Sequence, residues 1–307
     1  MAQIPENKTE VFLVGRYFSD LIFTGLPELP RLGHEVYSRE LHLVPGGVFT
    51  PAVALTRLGV NVLWPCVFGS DPFSQFVSER ALAERVDDSH FSTSETPSFR
   101  ITTAFSYQGE RAFLSYVDPL PSYEYGDLIR ETRPRWLYIT HLLLGQPLLS
   151  LVSAAKDAGA QVIMDCQAHD HSISEPRVRE ALGMVDLFSP NAAEARRMTG
   201  KTEISDCLDD LASYTPAVII KDGKHGCQYR SGDEHLQVAS IPVDVRDSTG
   251  AGDNFDSGYL YGVLRGYDTP TILRIANICG ALSAEGIGGT ETAPTERILL
   301  DCLKKET

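Results

Sequence analysis

Short apolar runs and longer amphipathic segments alternate along most of the chain. The apolar runs are short and rich in β-branched residues, which is typical of buried strands, and they lie at 11–15, 62–69, 136–140, 161–165, 186–189 and 217–223. Helical spacing is found at 51–59, 72–83, 148–158, 193–200, 253–265 and 270–286. Strands that alternate with helices predict an α/β fold, with a central mostly parallel sheet flanked by helices on both faces.

Two segments interrupt this alternation. Residues 35–44 have an extended pattern, and Phe99–Tyr107 and Arg111–Val117 form a predicted hairpin with its turn at Gln108–Glu110. No helical segment is available to cover them, so we expect a small separate antiparallel sheet. Such a sheet could act as a β lid over the main domain or as a dimer surface.

The length and composition predict one domain. The chain has 307 residues, of which 43% are hydrophobic, and this is enough for a sizeable core. It contains no internal repeat and no Gly/Ser linker. We therefore predict a single domain over residues 1–307, with a lid formed from about 34–44 and 98–118.

Charge and targeting signals narrow the classes of partner. The net charge is −14 and the basic residues are dispersed, which argues against nucleic-acid and anionic membrane partners. The six cysteines lack metal-site or paired spacing, and we expect reduced, buried thiols. The N-terminus does not resemble a signal peptide, and no apolar run approaches the ~20 residues that would span a bilayer. We expect a soluble, cytoplasmic protein.

A corner of small residues precedes an aspartate near residue 250. Gly250, Ala251 and Gly252 allow main-chain N–H groups to approach a bulky ligand, and the start of the following helix carries partial positive charge. The corner is a candidate anion site, and Asp253 beside it is a candidate proton acceptor. From these residues alone, a glycine-rich turn with an N-capping aspartate explains the pattern equally well.

The segment DSTGAGD, residues 247–253, resembles the signature of the ribokinase-like (PfkB) carbohydrate and nucleoside kinases. The resemblance implies that Asp253 is the base that activates the acceptor hydroxyl. It also implies that Gly250, Ala251 and Gly252 form an anion hole for the transferred γ-phosphoryl group. ATP and Mg²⁺ are the cofactors that this family uses.

The resemblance extends to the segments that come first in the chain. Residues 45–59 are similar to the family's glycine-pair motif, which implies that Gly46 and Gly47 let the acceptor approach the backbone. Asp20 matches an aspartate that binds acceptor hydroxyls, although an aspartate after a first strand is commonly a loop residue. Phe49 follows the glycine pair and is placed beside the acceptor, with packing into the lid hinge as its alternative.

The nucleotide half of the chain also follows the family pattern. The resemblance assigns nucleotide contacts to Asn191, Glu194, Lys221, Gly223, Gly226 and Asn277. Asn191 and Glu194 form the N-x-x-E motif, in which Glu194 contacts Mg²⁺ indirectly, but their spacing equally fits a helix capping box. A plain hairpin turn would explain the glycines at 223 and 226, and a helix-surface position would explain the asparagine at 277.

Some family members bind a monovalent cation near the signature. Asp247 and Thr249 are the matching positions here, and K⁺ is the ion that the resemblance implies.

The acceptor half departs from the family pattern. Pro51 replaces an asparagine that contacts the sugar, and a proline offers no side-chain hydrogen bond. Asp165 is followed by Cys166 and Gln167, where the family often has Asp-x-Asn-x-Arg. Val48 and Phe49 also bring apolar surface where some relatives hold a lysine for a phosphosugar. These departures weaken the case for ribose and for a sugar phosphate, and they leave the acceptor open among sugars, polyols and nucleosides.

The leading hypothesis is an ATP-dependent kinase that phosphorylates a hydroxyl of a sugar or sugar-like acceptor. The alternatives are a nucleoside kinase and a catalytically silent nucleotide- or sugar-binding regulatory protein of the same fold. A dinucleotide-dependent dehydrogenase is disfavoured because no G-x-G-x-x-G follows the first strand. Exposed edges of the lid strands predict a homodimer, in addition to the acceptor and ATP as small-molecule partners.

Overall fold

The structure is a computed structural model that describes residues 9–107, 110–119, 123–167 and 169–305. The strands of its central sheet are β1 (Val11–Val14), β4 (Val62–Leu63), β9 (Trp136–Ile139), β10 (Gln161–Asp165), β11 (Leu187–Ser189), β12 (Ala217–Lys221), β13 (Cys227–Ser231) and β14 (Glu234–Val238). Their order is β14-β13-β12-β11-β10-β9-β1-β4 within the described chain. The pairs from β4 to β12 are parallel, whereas β13 and β14 add an antiparallel edge.

Helices cover both faces of this sheet. They are α1 (Phe49–Arg57), α2 (Pro72–Ala83), α3 (Tyr125–Thr132), α4 (Gln146–Ala158), α5 (Pro176–Leu182), α6 (Ala192–Thr199), α7 (Ile204–Ala212), α8 (Ala251–Arg265), α9 (Thr269–Ser283) and α10 (Glu296–Lys305). Alternate residues of one strand enter different apolar cores: Val11 and Leu13 join one cluster, and Phe12 and Val14 the other. The predicted α/β fold is confirmed, because a strand buried on both faces is what produces an uninterrupted apolar run.

The second sheet is the lid, which we define as β2 (Tyr17–Thr24), β3 (Glu40–Gly47), β7 (Arg100–Tyr107) and β8 (Glu110–Val117). Its order is β3-β2-β7-β8, with antiparallel outer pairs and a parallel contact between β2 and β7. The predicted small sheet is therefore present, but it also contains β2. Gln108 and Gly109 of the predicted turn lie outside the described residues.

Some predicted boundaries differ from the structure. The apolar run at 62–69 is divided into β4 and a short strand β5 (Cys66–Phe68), which pairs with β6 (Phe91–Thr93) in a separate two-stranded sheet. Helix α1 begins at Phe49, two residues before Pro51, so the proline lies within the first turn, where its missing N–H leaves no helical bond unmade.

Two further expectations concern membrane-spanning helices and the pairing of the cysteines. None of their helices combines the length and apolar character needed to cross a bilayer. Their six cysteines are all free of disulfides, and five of the six are buried.

Candidate active site

The corner before Asp253 requires glycine at its first position. Gly250 has a φ of +73°, and a Cβ there would lie 2.7 Å from the Cα of Gly289 and 2.9 Å from Cγ2 of Thr50. The buried side chain of Asn254 donates from Nδ2 to the carbonyl oxygens of Gly250, at 2.9 Å, and Gly289, at 2.7 Å. Two chain segments are thereby held together directly under the corner.

Main-chain N–H groups at this corner are available to an anion. Helix α8 starts at Ala251, and the N–H groups of Gly250, Gly252 and Asp253 have no acceptor among the residues that the structure describes. Ala251 differs, because its N–H donates to the carbonyl of Ser248 at 3.2 Å. The predicted hole at 250–252 therefore offers the amides of the two glycines rather than all three, at the positive end of a helix.

A buried cation lies beneath the same corner. The Nζ of Lys221 donates to Oδ1 of Asp165 at 2.9 Å and to Oδ2 of Asp256 at 3.0 Å. A Cβ on Gly252 would lie only 3.3 Å from this Nζ. Burial alone would lower the pKa of Lys221, but Asp165 and Asp256 raise it above its usual range, so the lysine stays charged.

Asp256 connects this lysine to the sheet. Its Oδ1 accepts from Oγ of Ser189 at 2.5 Å, and its Oδ2 also accepts from the hydroxyl of Tyr138 at 3.1 Å. With Lys221, the buried carboxylate has three donors, as a buried charge requires. Asp256 was not predicted from the sequence. The available signal was a second carboxylate one helical turn after Asp253, ahead of the apolar part of α8.

The carboxyl group of Asp253 lies on the first turn of α8 beside this cluster. Removal from water, followed by the charge of Asp165, raises its pKa well above the usual aspartate range, and Lys221 opposes the shift. A higher pKa makes the carboxylate a stronger proton acceptor.

The carboxylate of Asp20 occupies the space that Gly46 leaves open. Asp20 lies inside β2 rather than in a loop, and a Cβ on Gly46 would be 2.0 Å from its Oδ2. Gly47 has a φ of +63°, and its own Cβ would meet the carbonyl oxygen of Arg16 at 2.1 Å. The glycine pair thus makes room for protein groups, among them the carboxylate of Asp20.

Asp20 is electrostatically linked to its neighbours in the site. Burial, and then the charge of Asp247, raises the pKa of Asp20 to about 7, while a hydrogen bond with Thr102 lowers it. Asp20 also contributes to the raised pKa of Asp253, so the two carboxyl groups influence each other.

The structure corrects the prediction that Phe49 lies beside the acceptor. Its side chain is 1% exposed and packs in a hydrophobic core cluster, together with Val48. The ring leaves no surface for an acceptor, because α1 begins at this residue and turns it inward.

The N-x-x-E pair forms the capping box that its spacing allowed. The N–H of Asn191 donates to Oε2 of Glu194 at 2.8 Å, and the N–H of Glu194 donates to Oδ1 of Asn191 at 2.9 Å. Glu194 is buried, and burial, followed by the charge of Asp165, raises its pKa. It therefore belongs to the same electrostatic cluster as Lys221.

The other predicted nucleotide residues lie at the turn between β12 and β13 and on α9, and two of them approach Val238 at the end of β14. Gly223 lies in a short 3₁₀ turn, and Gly226 has a φ of +90°, where a Cβ would be 1.9 Å from the carbonyl oxygen of Val238. The side chain of Asn277 is 5% exposed and donates from Nδ2 to the same oxygen at 3.2 Å. The plain hairpin accounts for the glycines, and the amide of Asn277 is engaged with protein groups rather than lying on the helix surface.

Asp247 joins two parts of the loop around the signature. Its Oδ1 accepts from the N–H of Thr249 at 3.0 Å and from its hydroxyl at 2.7 Å, and its Oδ2 accepts from the N–H of Gly288 at 2.8 Å. Within the described ranges, no three His, Cys, Asp or Glu side chains cluster as metal ligands would.

A cavity of about 1300 Å³ lies beside the site, at the carboxyl ends of β1 and β9. Gly15 and Arg16, which follow β1, and His141, which follows β9, line part of it. Burial, and then the charge of Arg16, lowers the pKa of His141 to about 4, while Asp165 opposes the shift. His141 is therefore neutral at neutral pH, and it lies between the cavity and the cluster around Lys221.

Two amides without an acceptor in the described chain, a buried lysine and the carboxyl group of Asp253 thus lie together at the carboxyl edge of the sheet, an arrangement that can serve phosphoryl transfer. Residues 9–296 match the pfkB family of carbohydrate kinases, and the chain belongs to this family. It is a phosphotransferase that acts on an alcohol group, that is, a sugar or nucleoside kinase.

Known relatives and solved structures extend along nearly the whole chain. Ribokinase from Bacillus subtilis is 25% identical over 299 residues, covering 93% of this chain and 96% of that protein. Probable fructokinase-2 from Arabidopsis thaliana is 26% identical over 288 residues, covering 85% and 87%. The structure of Arabidopsis thaliana ribokinase complexed with ribose and ATP has a TM-score of 0.82 at 21% identity, covering 97% and 99%. The fold is therefore that of ribokinase.

Proposed function

We propose that the protein transfers the γ-phosphoryl group of ATP to a hydroxyl of a sugar or sugar-like acceptor. One observation carries the proposal: the carboxyl group of Asp253 directly follows the N–H of Gly252, which has no acceptor among the described residues, and charged Lys221 lies beneath. Acceptor and phosphoryl group can therefore meet at one point. Among the relatives named above, ribose and fructose kinases support a sugar as the acceptor.

Asp253 removes the proton from the acceptor hydroxyl as that oxygen attacks phosphorus. When ionised, Asp253 is a stronger proton acceptor than an ordinary aspartate, because burial and then the charge of Asp165 raise its pKa. We assign Asp20 to the orientation of the acceptor. With a pKa of about 7, Asp20 can either accept a hydrogen bond from a hydroxyl or, when protonated, donate one.

The nucleotide phosphates are assigned to the glycine corner. The N–H groups of Gly250 and Gly252 can donate to the γ-phosphoryl oxygens, while Lys221 offsets the negative charge of Asp165 and Asp256 beneath them. Magnesium, when bound, neutralises part of the charge on the triphosphate. The chain fits an ion held mainly by phosphate and water, with Glu194 in indirect contact, because its described residues lack a cluster of ligating side chains. A K⁺ ion near Asp247 and Thr249 stays a prediction.

The proposal is tested by measuring ATP consumption against a panel of pentoses, hexoses, polyols, sugar acids, sugar phosphates and nucleosides. We expect at least one acceptor to stimulate ATP consumption and to yield one phosphorylated product per ADP. Binding of ATP without consumption against any acceptor would contradict the proposal and favour the regulatory protein, which Pro51 and Gln167 motivate.

We further propose that the chain forms one domain over 1–307 and that it dimerises through the lid. Large apolar side chains on the lid support this second proposal, since Leu41, Leu43, Phe113, Leu114 and Tyr116 are all exposed.

A further inference from the structure

The cavity beside the site contains a buried arginine that lies over an aromatic ring but forms no ion pair with the described residues. Arg100, the first residue of β7, lines the cavity, is 9% exposed and has its guanidinium carbon 5.1 Å from the centre of the Tyr17 ring. Its Nε is buried and has no hydrogen-bond acceptor within the described chain. Because buried polar groups are almost always paired in folded proteins, this Nε is available to an acceptor that the described chain does not supply.

A second arginine shares the cavity with Arg100. Arg16 lines the same space, is exposed, and lies close enough to lower the pKa of Arg100 after burial itself has lowered it. Neither arginine forms an ion pair with a carboxylate of the described residues. The cavity thus contains two neighbouring guanidinium groups, and both lack a counter-charge.

The carboxylates on the cavity wall do not provide that counter-charge. Asp118 accepts from the N–H of Phe99 at 3.0 Å and from the hydroxyl of Tyr116 at 2.7 Å. Asp127 pairs with Arg130 at 3.1 Å. Glu124 lies directly before α3, and none of the ion pairs found in the described ranges joins it to either arginine of the cavity.

The cavity that holds the arginines lies at the carboxyl edge of the sheet, where the cluster around Lys221 also lies. Strands β1, β9 and β10 are adjacent in the sheet, so Arg16, His141 and Asp165 follow one another along its carboxyl edge. The pKa of His141 responds to both Arg16 and Asp165, as expected for neighbouring groups. His141 therefore joins the cavity wall to the cluster around Lys221, beside which Asp253 lies.

We infer that the acceptor carries an anionic oxygen group, a carboxylate or a phosphate, which Arg100 and Arg16 bind. The inference rests on the proposed function, since it names the substrate class of that same site. Guanidinium groups form paired, charge-assisted hydrogen bonds with both kinds of anion. Such an ion pair would also anchor the acceptor in place of the hydrogen bond that the side chain of Pro51 cannot form with a sugar.

The experiment measures kcat and KM for pentoses and hexoses, for aldonates and 2-keto-3-deoxyaldonates, and for sugar monophosphates. It uses the wild type, Arg100→Gln, Arg16→Gln and the control Arg230→Gln, whose arginine pairs with Asp209 outside the cavity. We expect an anionic acceptor to have the highest kcat/KM, and each cavity variant to raise its KM about tenfold or more. KM for neutral acceptors should change less than threefold, and the control should match the wild type. Comparison of kcat/KM for the sugar acids with kcat/KM for the sugar monophosphates identifies which anion is bound.

Equilibrium binding separates this inference from the proposed function. Calorimetric titration of each variant with the sugar acids and phosphates measures the anion site without turnover. If no acceptor is phosphorylated but an anion binds and Arg16→Gln weakens that binding tenfold, the proposed function fails and the anion site stands. Preference for neutral acceptors, or unchanged anion binding in Arg16→Gln, would overturn the inference. Arg16 is exposed, so this variant remains informative even if Arg100→Gln fails to fold.

Discussion

Individual residues of the site have functions that depend on partners distant in the sequence. Asp20 matters because Gly46, on the neighbouring strand, leaves room for its carboxylate. Lys221 matters because Asp165 and Asp256 hold its charge below Gly252. The buried charges of such a site lower the free energy of unfolding, and selection for stability alone would not retain them.

Asp20→Asn should stabilise the fold at alkaline pH. The pKa of Asp20 is raised from 3.8 to about 7, so its contribution to stability is fully present below pH 4 and is lost as pH rises through 7. Asparagine removes this loss. We expect the free energy of unfolding at pH 8 to rise by about 1–3 kcal/mol, a range reduced from the full shift because Asp20 is partly exposed. Denaturant unfolding at pH 5 and pH 8 measures this change in stability, and Asp244→Asn, at an exposed position, is the control. Equal stability of Asp20→Asn and wild type at pH 8 would contradict the raised pKa of Asp20.

Gly46→Ala should damage acceptor binding more than nucleotide binding. The added methyl group would lie 2.0 Å from Oδ2 of Asp20, so the carboxylate must move. We expect KM for the acceptor to rise at least about tenfold, whereas ATP affinity changes less than threefold. Gly183→Ala is a suitable control, because its nearest neighbour would be 3.5 Å away. An unchanged KM for the acceptor in Gly46→Ala would show that Asp20 does not contact the acceptor.

The sequence predicted part of this site and could not predict the rest. Asp253 and its glycines were found because they are contiguous and form a short signature. Asp256, Asn254 and Arg100 were missed because their importance comes from tertiary contacts, which spacing along the chain does not encode. The packing of Phe49 was likewise decided by where α1 begins.

At the scale of elements, α8 is joined to the sheet through buried charge as well as apolar packing. Asp256 on α8 contacts Lys221 at the end of β12 and Ser189 at the end of β11. Strands buried on both faces were predictable from continuous apolar runs. Strand β2 was not, because polar and apolar residues, some buried and some half-buried, are mixed along it.

Lys221→Met should strongly destabilise the protein. The substitution leaves the carboxylates of Asp165 and Asp256 buried without their cation, and the usual cost of breaking such a pair is about 3–5 kcal/mol. Thermal and denaturant unfolding measure the change. Lys224→Met, at an exposed position of the following turn, should cost less than about 0.5 kcal/mol. Equal stability of the two variants would show that the buried cluster does not support the fold.

At the scale of the whole molecule, the lid presents apolar surface away from the main core. Phe113 is 59% exposed and Leu114 is 69% exposed on β8, which is an edge strand of its sheet. Exposed apolar edges favour pairing with another strand, and a second copy of the chain is the partner that we propose.

Leu114→Asp should convert the proposed dimer into a monomer. Sedimentation at micromolar concentrations should give twice the 33.7 kDa chain mass for the wild type and the single mass for Leu114→Asp. The control is Ile298→Asp on α10, which replaces another exposed apolar residue outside the lid and should leave the dimer intact. A wild type that sediments as a monomer would refute the dimer.

Phosphoryl transfer by Asp253→Asn is the most direct measurement of the central claim. Asparagine keeps the shape of the side chain but cannot accept the hydroxyl proton, so kcat should fall by ~10² or more, while the calorimetric Kd for ATP stays within threefold of wild type. Asp244→Asn, exposed and outside the site, should retain wild-type turnover. Wild-type turnover in Asp253→Asn would contradict the account.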